Sequence, residues 1–274
     1  MATDRDSSPL SLRRPFIRLA RAVITPQFQE LLRRGAGPDV VAGALPRFHR
    51  RDLQGPWRDF WIEVTNAYAH IMHDAGKKAR TWKSVERAPE ITVSLNPRSK
   101  KWIDEHAAEM CVELSRQQHE AVRAYVADAY ARGARPETMA QHLRTVVGLT
   151  SRQQTAVANF ADQEDVTDAQ VERYAQKQLA NRVEAISRTE NRAAVENGRL
   201  AEWQTAAEDN ELPPGTKKVW DAAPDSYRLC EGCAELDGQA VGIDEDFHSD
   251  FLEWDGPCPG SHVNCRCTMT LQFD

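Results

Sequence analysis

The chain has 274 residues and a mass of 30.9 kDa, with 41% hydrophobic and 28% charged residues, so it can bury a core without covalent staples and is too apolar to be disordered throughout. No apolar run approaches the roughly 18 residues of a membrane span, and Arg13, Arg14, Arg18 and Arg21 interrupt the one apolar stretch near the N-terminus, which argues against a secretory signal and for a product made in the cytoplasm. The net charge of −6 is divided unevenly: residues 1–60 carry eleven arginines against six acids, and residues 190–274 carry six basic residues against eighteen acidic ones. A basic head suits nucleic acid or an acidic partner surface, whereas phosphate is repelled by the tail.

Residues 1–12 are polar and read as frayed. From Pro15 to about Arg34, Phe16, Leu19, Ala20, Val23, Phe28, Leu31 and Leu32 follow helical spacing, with Pro26 predicting a kink or a break into two helices. Glycines and prolines between 35 and 56 mark a linker and irregular chain. Asp59 to Lys83 reads as a helix with an apolar stripe through Trp61, Val64, Tyr68, Ile71 and Met72, and Ile91 to Leu95 as a short extended piece. Asn96-Pro97 pairs an N-cap with proline at the first helical position, opening a long helix that Gly133 should stop. Pro136 opens a short helix to Gly148. Thr150 with Gln153 and Thr167 with Gln170 have capping-box spacing and start helices to about Ala161 and Thr205.

Helical periodicity ends after Ala207. Lys217–Trp220, Gln239–Ile243 and Thr268–Phe273 read as strands, and Asp237-Gly238 as a tight turn. The expected architecture is therefore α+β, predominantly α, with a helical body followed by a small C-terminal β-rich module. The boundaries read as a basic N-terminal arm and linker over 1–58, a helical body over 59–207 and a module over 208–274.

Chemistry concentrates in that module. Five of the six cysteines, Cys230, Cys233, Cys258, Cys265 and Cys267, fall in the last 45 residues, while Cys111 lies alone on a helix face and reads as packing. Cys230-x-x-Cys233 is followed, after 28 intervening residues, by His262-Val263-Asn264-Cys265-Arg266-Cys267. Two thiolates three residues apart grip an ion from a tight turn, and a second short group from a distant segment completes a tetrahedron, which is the spacing of a structural zinc site. The candidates outnumber the four seats, so the expected ligands are Cys230 and Cys233 with two from His262, Cys265 and Cys267; Cys258, between prolines, is the weakest candidate. Motifs for catalysis are missing: there is no His-Glu-x-x-His, no Walker A loop, no Gly-x-Gly-x-x-Gly turn and no deaminase signature.

The segments Ser187-Arg188-Thr189-Glu190-Asn191, Lys218-Val219-Trp220-Asp221, Tyr227 to Gly238 and His262 to Cys267 occur in the order that resembles the phage Mu F-like minor head, or head morphogenesis, family. Gly148 to Gln153 is also similar to the opening of that domain, so the resemblance spans about residues 136–273. Where members usually carry His-Pro-Asn-Cys-Arg-Cys, this chain has His262-Val263.

The resemblance implies a non-enzymatic virion protein of a bacteriophage or prophage, acting at the portal and inner capsid, with portal, capsid or scaffold proteins as partners. It also implies a place in DNA packaging or ejection. Beside it, Arg188 and Glu190 lie on a polar helix face from which they can dock the module through Asp221 and Arg228, and Arg13, Arg14, Arg18 and Arg21 form the surface for a partner or packaged DNA. The alternatives are a zinc-dependent nucleic-acid-binding module and a phage-associated toxin such as an ADP-ribosyltransferase. The second would want a Glu-x-Glu pair, for which Asp244-Glu245-Asp246 is a poor substitute.

Overall fold

The computed structural model describes residues 13–80, 95–134, 148–222 and 229–273. Within them the chain is predominantly α-helical with a small strand-rich region at its C-terminal end, the α+β arrangement expected from the sequence. The helices are α1 (Arg13–Ala22), α2 (Pro26–Arg33), α3 (Pro38–Gly43), α4 (Gly55–Ala79), α5 (Pro97–Ala131), α6 (Ser151–Ala161), α7 (Asp168–Glu208) and α8 (Glu231–Leu236). The strands are β1 (Lys217–Asp221), β2 (Ala240–Gly242), β3 (Phe247–Ser249), β4 (Trp254–Gly256) and β5 (Thr268–Gln272). The extended piece expected at 91–95 and the short helix expected from Pro136 lie, in whole or in large part, outside the described residues.

Local signals explain most helix ends. Pro26 does not kink one helix but opens a second, because its fixed φ suits the first turn and Thr25 caps it, accepting from Phe28 N at 3.2 Å. Pro38 and Pro56 do the same in chain that reads as linker, so α3 exists and α4 starts at Gly55 rather than Asp59. Asn96 Oδ1 accepts from Arg98 N at 2.9 Å at the start of α5. Gly133 ends that region with φ +70, a left-handed value that costs glycine little, as Ala134 N reaches back to Ala129 O. Thr150 and Gln153 form the reciprocal capping box of α6. Before α7, Gln170 Oε1 accepts from Thr167 N at 2.8 Å.

The fold divides into two compact units, one of residues 12–64 and 105–184, the other of 65–104 and 185–274. In the first, Phe16, Leu19, Val23, Phe28 and Leu32 of α1 and α2 are buried, and Phe16 meets Phe60 edge-on with ring centroids 6.5 Å apart. Phe48 packs between Trp57 and Trp61, with centroids at 5.7 and 5.6 Å, and Trp57 Nε1 donates to Pro46 O at 2.9 Å. Arg182 is buried here, donating to Gly148 O and to Gln117 Oε1 and lying 5.3 Å from the Phe16 ring centre; burial pushes its guanidinium down to about 10.

In the second unit, α7 approaches α4 closely. A Cβ on Gly198 would lie 2.8 Å from Met72 Cα, so only glycine allows this contact. Tyr68 stacks edge-on against Trp102 and donates its hydroxyl to Glu190 Oε2 at 2.5 Å. The C-terminal region has an antiparallel sheet in the order β2-β1-β5, with Lys218 opposite Val241 and Leu271, and a separate β3-β4 hairpin. Asp237-Gly238 joins α8 to β2 rather than two strands, because the residues before it close a helical turn. Trp220, Leu236, Phe247 and Met269 are buried together with Cys233, Cys258, Cys265 and Cys267.

Candidate metal centre

Cys230 is the N-cap of α8, and its Sγ accepts from Cys233 N at 3.3 Å. One turn of helix therefore sets both sulfurs on the same side. The sequence reads this segment as a turn; the helix forms because the cap satisfies an amide that would otherwise be unpaired. The second group comes from a loop ahead of β5. Cys265 N donates to His262 O at 3.2 Å, and Asn264 adopts a left-handed conformation with φ +64, closing a tight turn that presents His262 and Cys265.

These segments bring all five expected donors into two triads that share Cys233. Cys230, Cys233 and His262 form one, Cys233, Cys265 and Cys267 the other, and within each triad the ligand atoms lie within 4.8 Å of one another. His262 Nε2 is 2.9 Å from Cys233 Sγ and 3.4 Å from Cys230 Sγ. Its Nδ1 is 2.9 Å from Val263 O; a proton placed there leaves Nε2 with the lone pair facing the sulfurs. Cys233, Cys265 and Cys267 are buried, while Cys230 and His262 are partly exposed.

Hydrogen bonds with Cys265 and Cys267, followed by burial, push the Cys233 thiol far above its ordinary range. Cys265 is raised to about 11: its hydrogen bond with Cys233 lowers it, but Cys267 and burial outweigh that contact. Three buried sulfurs this close cannot all ionise against one another, and a divalent cation supplies the opposing charge that makes thiolates of them. The donor set, sulfur with one imidazole, can thus bind a metal. Cys258 is buried but belongs to neither triad, and burial raises its thiol.

The other expected residues lie outside the cluster. Asp221 ends β1 half-buried, Arg188 and Glu190 lie half-buried on α7, and Arg228 is outside the described residues. Glu190 takes the Tyr68 hydroxyl. Arg14, Arg18 and Arg21 are exposed on α1, where Arg18 pairs with Glu63 at 2.8 Å; Arg13 starts the helix. Contacts between α7 and the cluster's loop and the strand after it include Glu196 and Thr189, whose roles there the sequence does not reveal. Glu196, with no exposed surface, accepts from Thr268 Oγ1 at 2.9 Å and Met269 N at 3.3 Å and pairs with Arg192 and Arg199 at 3.1 Å each. Thr189 Oγ1 accepts from Asn264 N at 2.9 Å. Charge pairs at i,i+3 and i,i+4 on a helix look like ordinary surface, so only a buried Glu196 reveals the role.

The family profile described as Phage Mu protein F like protein matches residues 120–270, just over half of the chain, and ends beyond the last donor of the cluster. No curated protein and no solved structure matches. No helix among the described residues is long and apolar enough to cross a membrane. A match of that length, carried through the Cys/His cluster, makes the chain a member of the phage Mu protein F like family.

Proposed function

We propose that the protein is a minor head protein of a bacteriophage or prophage that works in head morphogenesis at the portal and inner capsid, without catalysis. The observation that carries this reading is the family match over residues 120–270. The cluster fits zinc, which takes sulfur and imidazole ligands tetrahedrally. Cys230 and Cys233 would hold it with two from His262, Cys265 and Cys267, and a site filled by four protein ligands leaves no position for a substrate, so its role is to staple the module over 208–274 to itself. Arg188 and Asp221 add to the docking of that module, and Arg13, Arg14, Arg18 and Arg21 contact a portal, capsid or scaffold protein, or DNA during packaging or ejection.

The test is assembly. Particles made with the wild-type chain should contain it by mass spectrometry, and a Cys230→Ser/Cys233→Ser chain should be missing from heads or yield heads that fail to mature. Normal infectious heads assembled in the complete absence of the protein would sink the reading.

A further inference from the structure

Thr189 stands one hydrogen bond from the turn that presents two of the donors. Its hydroxyl donates to Ala185 O at 2.8 Å within α7, which orients the oxygen lone pairs outward, and it accepts from Asn264 N at 2.9 Å. Asn264 is the left-handed residue of the turn from His262 to Cys265, a conformation that asparagine adopts more readily than other non-glycine residues and that the bond from its amide to Thr189 helps to fix. The same loop lies against α7 at Gly260, whose added Cβ would come 3.9 Å from Ala193. The loop thus meets α7 both by packing at Gly260 and by a directional bond from the ligand turn to Thr189.

We infer that Thr189 is a positioning residue for the metal: through Asn264 it holds the His262–Cys265 turn in the shape that metal binding needs. This rests on the reading of the cluster as a zinc site. Groups that orient ligands without touching the metal commonly change affinity about 10–100-fold when removed. By linkage, an ion bound in the cluster favours the turn that Thr189 accepts, so metal loading also strengthens the attachment of the loop to α7.

Two variants of the full chain separate the bond from the packing. Thr189→Val keeps the shape and loses the acceptor; Thr189→Ser keeps the hydroxyl and loses a methyl group. Zinc affinity is read by competition with a chromophoric chelator, and cobalt substitution reports the ligand set by its absorption bands. Thr189→Val should bind zinc about tenfold more weakly or worse, Thr189→Ser should stay within about threefold of wild type, and the cobalt bands of all three should coincide. Equal affinity for Thr189→Val and wild type overturns the inference, because water at the exposed Asn264 amide then replaces the hydroxyl. It is equally overturned if Thr189→Ser loses as much as Thr189→Val, since packing is then the cause, or if the cobalt bands shift. A wild-type chain that binds no metal removes the zinc reading itself, and the role of Thr189 falls with it.

Discussion

Glu196 accepts hydrogen bonds from four residues while none of its own surface meets water. Two arginines offset its charge, and its remaining capacity holds the first two residues of β5. Truncation removes the charge partner of two half-buried arginines and the acceptor of the buried Met269 amide, and breaking a buried charge network of this kind costs about 3–5 kcal/mol. Glu196→Ala should therefore lower the melting temperature of the metal-loaded chain by many degrees, with Glu196→Gln in between; an unchanged melting curve would show that water takes over these contacts. Gly232 makes a second case. It lies between Cys230 and Cys233, where an added Cβ would sit 2.3 Å from Leu252 Cγ. Overpacking of this sort costs about 1–3 kcal/mol, and because the displaced backbone carries both sulfurs, Gly232→Ala should also speed metal loss to a chelator.

At the level of elements, β3 and β4 are only three residues each and depend on side chains to stay paired. His248 on β3 faces Asp255 on β4, with Nδ1 2.6 Å from Asp255 Oδ1 and Nε2 3.0 Å from Asp250 Oδ1. The Asp255 hydrogen bond first, and then that of Asp250, raises the imidazole above its ordinary value. The folded state thus holds the proton more tightly than the unfolded one. The contribution is complete below about pH 6.5 and fades as the pH rises through the higher folded value. Amide exchange in this hairpin, corrected for its intrinsic pH dependence, should quicken as the pH rises through the raised folded value, and His248→Gln should abolish the change.

Metal removal acts on a larger element. Chelation should expose residues 229–273 to protease while the unit of residues 12–64 and 105–184 stays protected, since its core contains no donor of the cluster. An unaltered digestion pattern would reduce the cysteines to packing.

For the whole molecule, the charge asymmetry from one end of the sequence to the other is the feature a partner would meet. Testing it by removing the first 34 residues would mislead, because α1 and α2 bury Phe16, Leu19, Val23, Phe28 and Leu32. Arg18 is also partly neutralised by Glu63. Reversing Arg14 and Arg21 leaves that core intact. The double variant Arg14→Glu/Arg21→Glu should keep its melting temperature within a degree or two and lose particle incorporation or DNA retention; full incorporation would place the partner surface elsewhere.

Cysteine and histidine spacing, helix caps and the change of periodicity after Ala207 are local properties, and they are enough to anticipate the helical majority, the β-rich end and the side chains that gather in the Cys/His cluster. Thr150 with Gln153, and Gly133, act within a few residues of themselves and need no knowledge of the rest of the chain. The roles of Glu196 and Thr189 required the tertiary structure. Their partners lie more than seventy residues away, and on a helix their side chains are indistinguishable by pattern from solvated polar ones. Burial of Arg182 and Lys218, the closeness that Gly198 permits and the division of five donors into two triads about Cys233 are equally non-local. The sequence by itself determined which segments are helical and which residue types could serve a metal, because those depend on residue type and short spacing; the tertiary structure decided what holds the loop of His262 and Cys265 in place, because that depends on which distant surfaces meet.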